Sequence, residues 1–520
     1  MLRRMRFEIP VRLVSPLHYG ALDPVAERQV NETGKKDEYG QDRLLARNAS
    51  GEIVLRGTAI AGVLKAACGT EHGQAWGSSD SSSLIAVDDC VLDVAEHRRT
   101  GNAINRFTGS VTDGSLYHCQ LVPRGTRFTI VLRADCRHHW EVDAVRSALK
   151  TCLGLIRSGA IAFGGRTNVG WGLVEAATDP DQAMPLHVED LHTLDGLTAW
   201  LANASSTESI ESALPADEES FAISVDWRPL GAMFVGAAAT TREEAEREQE
   251  IGENERKNIL EPLVEDGCPV IPGSSIRGAL RHRASRIART VLAGAGEGTG
   301  WQTKTTHEQI AADPRLVRRL FGDARHQGAL RVRDSRASVK QIARRDHVAI
   351  DRWTGGAMSG ERGVGDEERG GRLFATDEVL CEKWEPIQID VRPRLLGANS
   401  EQQRAALCLL SLVLAEMATG HIGLGGLGTR GAGQVAVTKV TWGRMRCGKE
   451  SEGGDSAVYE KWISHAPQTQ KEGDPVARLC EQSHNVALEL LSHAREIAPA
   501  NGWTEALIRD ERDDEETACG

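Results

Sequence analysis

The feature that most constrains this chain is a turn-and-helix motif that occurs twice. Residues 55–68 read LRGTAIAGVLKAAC, and residues 271–294 read IPGSSIRGALRHRASRIARTVLAG. In both copies a glycine permits a sharp entry, small hydroxyl residues can cap the helix, and a second glycine permits close backbone approach. The free N–H groups and the dipole of such a helix N-terminus attract phosphate. One copy alone would indicate a well-capped core helix, but the duplication favours a phosphate site.

Other segments repeat in the same order along the chain. Residues 103–111 read AINRFTGSV and residues 349–357 read AIDRWTGGA, and glycine-rich loops begin at Gly164 and Gly425. Each copy has the order strand, helix, strands, helix, glycine loop, strand, which is typical of a ferredoxin-like domain. The sequence therefore predicts an α+β fold with two tandem ferredoxin-like (RRM-like) βαββαβ domains, each with inserted loops.

Charge and composition set the expected domain limits. We predict a first domain over residues 1–180 and a second over 220–445. Residues 181–219 contain 9 acidic residues and no Lys or Arg, which indicates an acidic linker with one short helix. Residues 446–520 read as an acidic C-terminal extension that contains one helix.

Net charge alone would argue against a nucleic-acid partner, because it is −12. However, residues 271–350 carry 16 Lys/Arg against 6 Asp/Glu, which permits a groove for a polyanion. No apolar run is long enough to span a bilayer, and the first residues lack the apolar region of a signal peptide. We therefore expect a cytoplasmic protein with no membrane partner.

Several residue types suit contact with RNA. Glycine-rich loops with a nearby arginine form nests of backbone N–H groups that hold phosphates. An arginine beside an aromatic residue can stack on a splayed base and hold the backbone of a single strand. His18 lies in a short P-L-H-x-G turn that could direct it at RNA, although a buried histidine is an equal alternative. The candidate RNA-binding residues are His18, Arg56, Gly57, Thr58, Lys65, Arg106, Phe107, Gly165, Arg166, Gly273, Ser274, Ser275, Arg277, Arg281, Arg352, Trp353, Gly426 and Arg430.

The motifs P-L-H-x-G, [IL]-x-G-[ST]-[SA]-I-x-G-x-[LI]-[RK], V-x-D and [DN]-R-x-T-G, followed by a glycine-rich loop, resemble the RAMP superfamily. More closely, they are similar to the guide-RNA-binding backbone subunits of type III CRISPR effector complexes, here as a tandem fusion. The resemblance implies palms that bind guide-RNA phosphates and thumb-like β-hairpins, over residues 97–119 and 345–374, that disrupt periodic guide–target base pairs. The implied partners are guide RNA, target RNA and other type III effector subunits.

In catalytic members of this family, an aspartate in the loop before the repeated motif supports metal-dependent cleavage of target RNA. Counting back from residues 48–51 gives Asp42 as the implied catalytic residue and metal ligand, with Mg²⁺ or Mn²⁺ as the cofactor. The same count in the second copy reaches Asn258, which can neither act as a base nor supply a charge. We therefore expect an endoribonuclease whose first domain cuts, with Glu255 as a candidate substitute in the second.

Two further functions fit the same motifs. The chain could be a guide-RNA scaffold without catalysis. It could also be a guide-RNA-processing endoribonuclease of the same superfamily, with His18 as the general acid or base. Two thumb-like insertions favour a backbone subunit, because a processing enzyme needs no second hairpin that disrupts base pairs.

Overall fold

The computed structural model confirms an α+β protein. The residues that it describes are 3–20, 40–112, 115, 117–179, 182–202, 204, 206–213, 219–237, 259–296, 300–323, 325–338, 341–348, 350–356, 373–397, 399–446, 475–499 and 502–508. They fall into two compact units. The first contains residues up to 97 and from 114 to 221, and the second contains residues 98–113, 222–443 and the C-terminal helices. The segment around AINRFTGSV, which belongs to the first repeat in sequence, therefore belongs to the second unit in structure.

The first unit is built on a six-stranded antiparallel sheet with the order β11-β10-β1-β8-β4, in which β9 also pairs with β1. Alternation in RRMRFEIPVRL buries every second side chain of β1, from Met5 to Leu13. The strands are β1 Arg3–Leu13, β2 Gly40–Arg43, β3 Ile53–Leu55, β4 Ile85–Val87, β5 Cys90–Leu92, β6 His97–Gly101 (which leads into the second unit), β7 Tyr117–Leu121, β8 Arg127–Cys136, β9 Val174–Ala176, β10 Met184–Asp190 and β11 Ser206–Ile210.

Two helices of the first unit contribute to one core with the sheet. The apolar positions of α1 and α3 recur at helical spacing, and the side chains of Ile60 and Leu64 on α1 and Val145 and Leu149 on α3 are at most 2% exposed. The helices are α1 Gly57–Cys68, α2 Gly73–Trp76, α3 His139–Arg157 and α4 Leu194–Leu201.

The stretch predicted as an acidic linker contains more structure than its composition suggests. The short helix is present as α4, but β10 and β11 flank it and extend the sheet of the first unit. In β10, Met184, Leu186 and Val188 are buried and alternate with polar residues. The alternation of apolar and polar residues in β10, rather than the acidic composition, therefore indicates the structure of this stretch.

The second unit repeats this arrangement of strands. Its four-stranded sheet has the order β16-β20-β12-β21, so the first strand of the repeat again lies between the last and the third. The strands are β12 Glu219–Pro229, β13 Ile259–Leu260, β14 Val264–Glu265, β15 Cys268–Ile271, β16 Leu330–Val332, β17 Ser335–Arg336, β18 Ile342–Val348, β19 Leu373–Val379, β20 Ile387–Val391 and β21 Val435–Arg446.

Helices of the second unit include two from the C-terminal extension, α9 (Pro475–Glu496) and α10 (Trp503–Leu507). The helix α9 packs against α8, where the Cys408 thiol donates to the carbonyl of Ala494 and the Ser483 hydroxyl donates to that of Ala418. The extension therefore contributes to the core of this unit. The helices are α5 Gly273–Gly294, α6 Thr306–Ala311, α7 Arg315–Phe321, α8 Ser400–Ala418, α9 Pro475–Glu496 and α10 Trp503–Leu507.

Candidate nucleic-acid interface

Both repeated helices begin beside an aspartate. In the first unit, the Gly57 amide donates to the Asp89 carboxylate at 2.7 Å, and Arg56 pairs with the same carboxylate at 3.1 Å. In the second, the Gly273 amide donates to Asp334 at 2.8 Å. The expected hydroxyl caps are not formed by either helix. The V-x-D segment of each repeat supplies the cap, so a carboxylate already satisfies the first helical N–H.

Glycine is required at position 57 because the backbone at Val87 lies very close to it. A Cβ on this residue would lie 2.0 Å from the carbonyl oxygen of Val87. Next to it, Arg56, Thr58 and Lys65 are exposed in the first unit. In the second unit, Ser275 is exposed and Ser274 is half-buried. RNA that approached either helix would therefore meet exposed side chains beside a capped N-terminus.

The two glycine-rich loops share one backbone structure. The Gly165 amide donates to the carbonyl of His18 at 2.8 Å, and the Gly426 amide donates to that of Phe234 at 2.7 Å. The next residue is left-handed in both loops, with φ of 58° at Arg166 and 60° at Leu427. Phe234 therefore takes the place of His18, and Leu427 takes the place of Arg166. Arg430, expected to match Arg166, lies three residues further on, at the end of a short 3₁₀ turn.

Side chains of the first loop form a group that we name the arginine–tyrosine cluster: Arg43, Tyr117, Arg166, Trp171 and His18. The guanidinium of Arg166 lies 4.5 Å from the centre of the Tyr117 ring, and that of Arg43 lies 5.1 Å from it. Arg166 also donates to the Tyr117 hydroxyl at 2.5 Å and lies 5.5 Å from the Trp171 ring. Two cations against aromatic faces form a surface suited to RNA phosphates and bases.

His18 is a buried, neutral member of this cluster. Its Nδ1 donates to the carbonyl of Gln120 at 2.9 Å, which leaves Nε2 as an acceptor. Burial lowers the pKa of His18 below its ordinary value, and the neighbouring Arg166 and Arg43 lower it further. The ring also makes an edge contact with Trp171. These contacts fix its orientation beneath the loop.

Asp42 lies in β2, next to Arg43 of the cluster. This strand pairs in parallel with β7, where Arg43 lies opposite Cys119. Only the backbone of Asp42 is among the described parts of the structure. Sequence reasoning missed Arg43, Tyr117 and Trp171; the position of Arg43 beside the expected catalytic aspartate is the signal that could have identified it.

Strand pairing gives the second-unit counterpart of Asp42. The isolated bridges Gly20–Leu45 and Gly236–Pro262 are equivalent, since Gly20 and Gly236 lie two residues after His18 and Phe234, whose carbonyls accept from the matched loops. Two residues before Leu45 is Arg43, and two before Pro262 is Leu260. Ile259 thus precedes Leu260 as Asp42 precedes Arg43. The predicted match, Asn258, lies outside the described residues, as does Glu255.

The two repeats differ in length at the hairpin that follows these strands. In the first unit the hairpin closes with the Val54 amide donating to Ala46, and in the second with the Val270 amide donating to Leu263. The first hairpin is longer by one residue. Residues that precede it therefore align one position later in the second repeat than an equal count backwards would give. The second repeat therefore has two apolar residues, Ile259 and Leu260, where the first has an aspartate and an arginine.

Most arginines of the basic α5 helix are used within the second unit. Arg281 is buried and donates twice to Asp313, at 2.8 and 3.0 Å. Arg277 donates to the carbonyl of Phe321, and burial, together with Arg281 and Arg106, lowers its pKa to about 9. Arg283 pairs with Glu416. Acceptors within the second unit thus hold Arg277, Arg281 and Arg283, which the charge count of the sequence could not reveal.

The two arginine–aromatic pairs both lie in the second unit but differ in exposure. Arg106 pairs with Asp313, and its side chain is 9% exposed. Arg352 is exposed, and Trp353 is 96% exposed. No group of three or more His, Cys, Asp or Glu side chains among the described residues is arranged to hold a metal ion.

A family model for the RAMP superfamily matches residues 11–175 and 228–436. The chain belongs to the RAMP superfamily. This confirms the resemblance, and each matched region contains one copy of the repeat, so the protein is a tandem RAMP chain. Membership supports a CRISPR-associated RNA-binding role with RNA and CRISPR-complex partners. No curated protein matches the sequence. No helix in the described part of the chain is long and apolar enough to cross a membrane.

Proposed function

We propose that this RAMP chain is a tandem backbone subunit of a type III CRISPR ribonucleoprotein. It binds guide RNA through phosphate contacts and cleaves complementary target RNA from its first repeat. The strand order, the same in both units, supports reading each repeat as a ferredoxin-like βαββαβ domain with a thumb-like β-hairpin. Its partners would be guide RNA, target RNA and other effector subunits in the cytoplasm.

The observation that carries the proposal is the arginine–tyrosine cluster beside Asp42. In the described residues, the charged groups that act on His18 at its centre are Arg166 and Arg43, which makes the site attractive to phosphate. RNA held there would pass close to β2 and therefore close to Asp42. A carboxylate next to a bound phosphodiester can assist cleavage as a base or as a ligand of Mg²⁺ or Mn²⁺.

Sequencing the RNA that co-purifies with the chain tests the binding half of the proposal. Repeat-derived guides of uniform length are expected, whereas bulk cellular RNA or none would contradict it. Cleavage of a complementary target by the purified ribonucleoprotein tests the other half. If Asp42→Asn cuts as fast as wild type, the chain is a scaffold at this site.

A guide-processing activity is the second candidate, because His18 stays neutral and carries an unprotonated Nε2. The isolated chain would then mature a precursor RNA, and His18→Gln would stop that reaction. Burial of His18 beneath the loop instead favours a role in holding that loop, whose Gly165 amide donates to the His18 carbonyl.

A further inference from the structure

Two cysteines lie against each other in the core of the first unit. Cys68 is the last residue of α1, Cys152 lies in α3, and their sulfur atoms are 3.5 Å apart. Both residues are buried, with at most 1% of their surface exposed. A disulfide has a sulfur–sulfur distance of about 2.05 Å, so the two sulfurs would approach each other by about 1.5 Å on oxidation. Side-chain rotation and a small shift at the end of α1 can supply this approach.

Other buried cysteines of the chain use their thiols differently. The thiols of Cys90, Cys381 and Cys408 donate to backbone carbonyls at 3.3, 3.2 and 3.1 Å. Burial raises the pKa of Cys90 to about 11 and that of Cys408 to about 12. Both thiols therefore stay protonated near neutral pH, and a buried, protonated thiol is inert.

The hydrogen bond between Cys68 and Cys152 gives this pair a different reactivity. The bond from Cys152 stabilises the thiolate of Cys68 and lowers the pKa of Cys68, although burial acts against it. The same bond and burial raise the pKa of Cys152. Cys68 is therefore the sulfur that reacts first, as a thiolate, and Cys152 is the thiol placed to attack the product.

The end of α1 offers an oxidant a route to Cys68. The three residues that follow the helix, Gly69, Thr70 and Glu71, are exposed. Gly69 adopts a positive φ of 76°, and the helix stops there. The last turn of a helix opens more easily than its centre, and such an opening brings Cys68 into contact with solvent.

The second repeat packs its two long helices without cysteines. The repeated turn-and-helix motif aligns Cys68 with Ala284 of α5, and the glycine-rich loops align Cys152 with Val413 of α8. Ala284 and Val413 are fully buried, and α5 packs against α8. The fold therefore does not require sulfur at these two positions, and the pair of thiols is a chemical feature of the first unit.

We propose that Cys68 and Cys152 are a site of reversible oxidation, at which a peroxide joins α1 to α3 by a disulfide. The Cys68 thiolate attacks a peroxide oxygen, the O–O bond breaks, and a sulfenic acid forms while hydroxide leaves and takes up a proton. The Cys152 sulfur then attacks the Cys68 sulfur, and the sulfenic oxygen leaves as water. Two thiols lose two electrons and two protons, and one hydrogen peroxide becomes two water molecules.

The disulfide would connect positions that are 84 residues apart. A cross-link that closes a long loop removes more conformational freedom from the unfolded chain than one that closes a short loop. Oxidation should therefore stabilise the first unit, and a thiol reductant should reverse the effect. The inference goes beyond the proposed function, because it requires neither guide binding nor cleavage.

Peptide mapping of the full-length chain tests the proposal. The chain is treated with hydrogen peroxide, unfolded in the presence of an alkylating reagent, and digested. We expect a pair of peptides joined through Cys68 and Cys152, lighter by two hydrogen atoms than the reduced peptides together. Cys408 should be alkylated as a free thiol, and dithiothreitol added before unfolding should restore both thiols of the pair.

The matched control installs the residues of the second repeat, Cys68→Ala with Cys152→Val. Peroxide should raise the thermal midpoint of the first unit by about 5–10 °C in the chain with both cysteines and leave that of the variant unchanged. Both chains carry Cys480→Ser in this experiment, which removes an exposed thiol. Peptide mapping of the wild type needs no variant, so it decides the question even if the double variant does not fold.

Three results would overturn the proposal. The first is alkylation of both Cys68 and Cys152 as free thiols after a peroxide treatment that has oxidised the exposed Cys480. The second is a linked pair that forms only when peroxide is added to chain already unfolded in urea. The third is a thermal midpoint that falls when the disulfide forms, since the fold would then resist the cross-link.

Discussion

The two glycine-rich loops have the same backbone structure but different side chains. Both donate an amide to the carbonyl of the residue two positions before a matched glycine, Gly20 or Gly236, and both place a left-handed residue next. In the first loop that residue is Arg166, over His18, and in the second it is Leu427, over Phe234. Duplication has preserved the fold of the loop, while charge is found at these positions in only one copy.

The β2 and β13 strands differ in the same direction. Asp42 and Arg43 of the first unit correspond to Ile259 and Leu260 of the second. Four positions change together from polar to apolar, which supports the proposal that phosphate binding and cutting belong to the first unit. The second unit keeps the same strand order and adds the C-terminal helices to its core.

The largest expected effect tests cleavage. Asp42→Asn should slow target cleavage about 10²- to 10⁴-fold, the range for loss of a general base, while guide affinity is unchanged. Asp135→Asn, an exposed carboxylate on β8 of the same unit, is the matched control and should cut normally. Cleavage of a labelled target by the purified complex measures both. Equal rates for Asp42→Asn and wild type would remove the cutting role from the first unit.

The next largest expected effect is a difference in stability between variants of the two aspartates that cap α1 and α5. Asp334 accepts from Gly273 and pairs with Arg99, which is 4% exposed and also pairs with Glu265. Asp334→Ala should lower the free energy of unfolding of the second unit by about 2–4 kcal/mol, since it removes the cap and one of the two carboxylates that pair with the buried Arg99. Asp89→Ala removes a cap and an exposed ion pair, which is worth about 1 kcal/mol. Chemical denaturation of both variants checks the order, and equal losses would contradict it.

A smaller effect depends on pH. The folded-state pKa of His18 is lowered by burial, so its contribution to stability is full above its unfolded pKa and is lost as the pH falls below about 6.5. His18→Phe, which installs the residue of the second loop, should flatten the decrease in the thermal midpoint over that range. His493, whose pKa burial lowers to about 4, should sustain the remaining decrease. An unchanged pH profile in His18→Phe would show that the ring is not held neutral.

The repeat, the long helices of each unit and the superfamily could be predicted from the sequence, because glycine positions, apolar periodicity and motif order are local signals. Contacts between distant residues could not. The side chain of Arg106, an expected RNA contact, pairs with Asp313, 207 positions away. Likewise, the carboxylates of Asp89 and Asp334 cap these helices instead of the nearby hydroxyls, and both aspartates lie far along the sequence from the helix starts. The arginines of α5 are evident in the sequence, but the carboxylates and carbonyls that accept hydrogen bonds from them are not.

The most direct test of the central claim exchanges the two left-handed loop residues and measures the salt dependence of RNA binding. Affinity for guide RNA, or for a short oligouridylate, is measured across ionic strengths for wild type, Arg166→Leu and Leu427→Arg. Each phosphate contact contributes about 0.7 to the slope of log K against log salt for a single strand. We predict that Arg166→Leu lowers the slope by about that amount and that Leu427→Arg raises it. An unchanged slope in Arg166→Leu, with a lower slope in Arg430→Leu, would place the phosphate contact in the second loop and contradict the account.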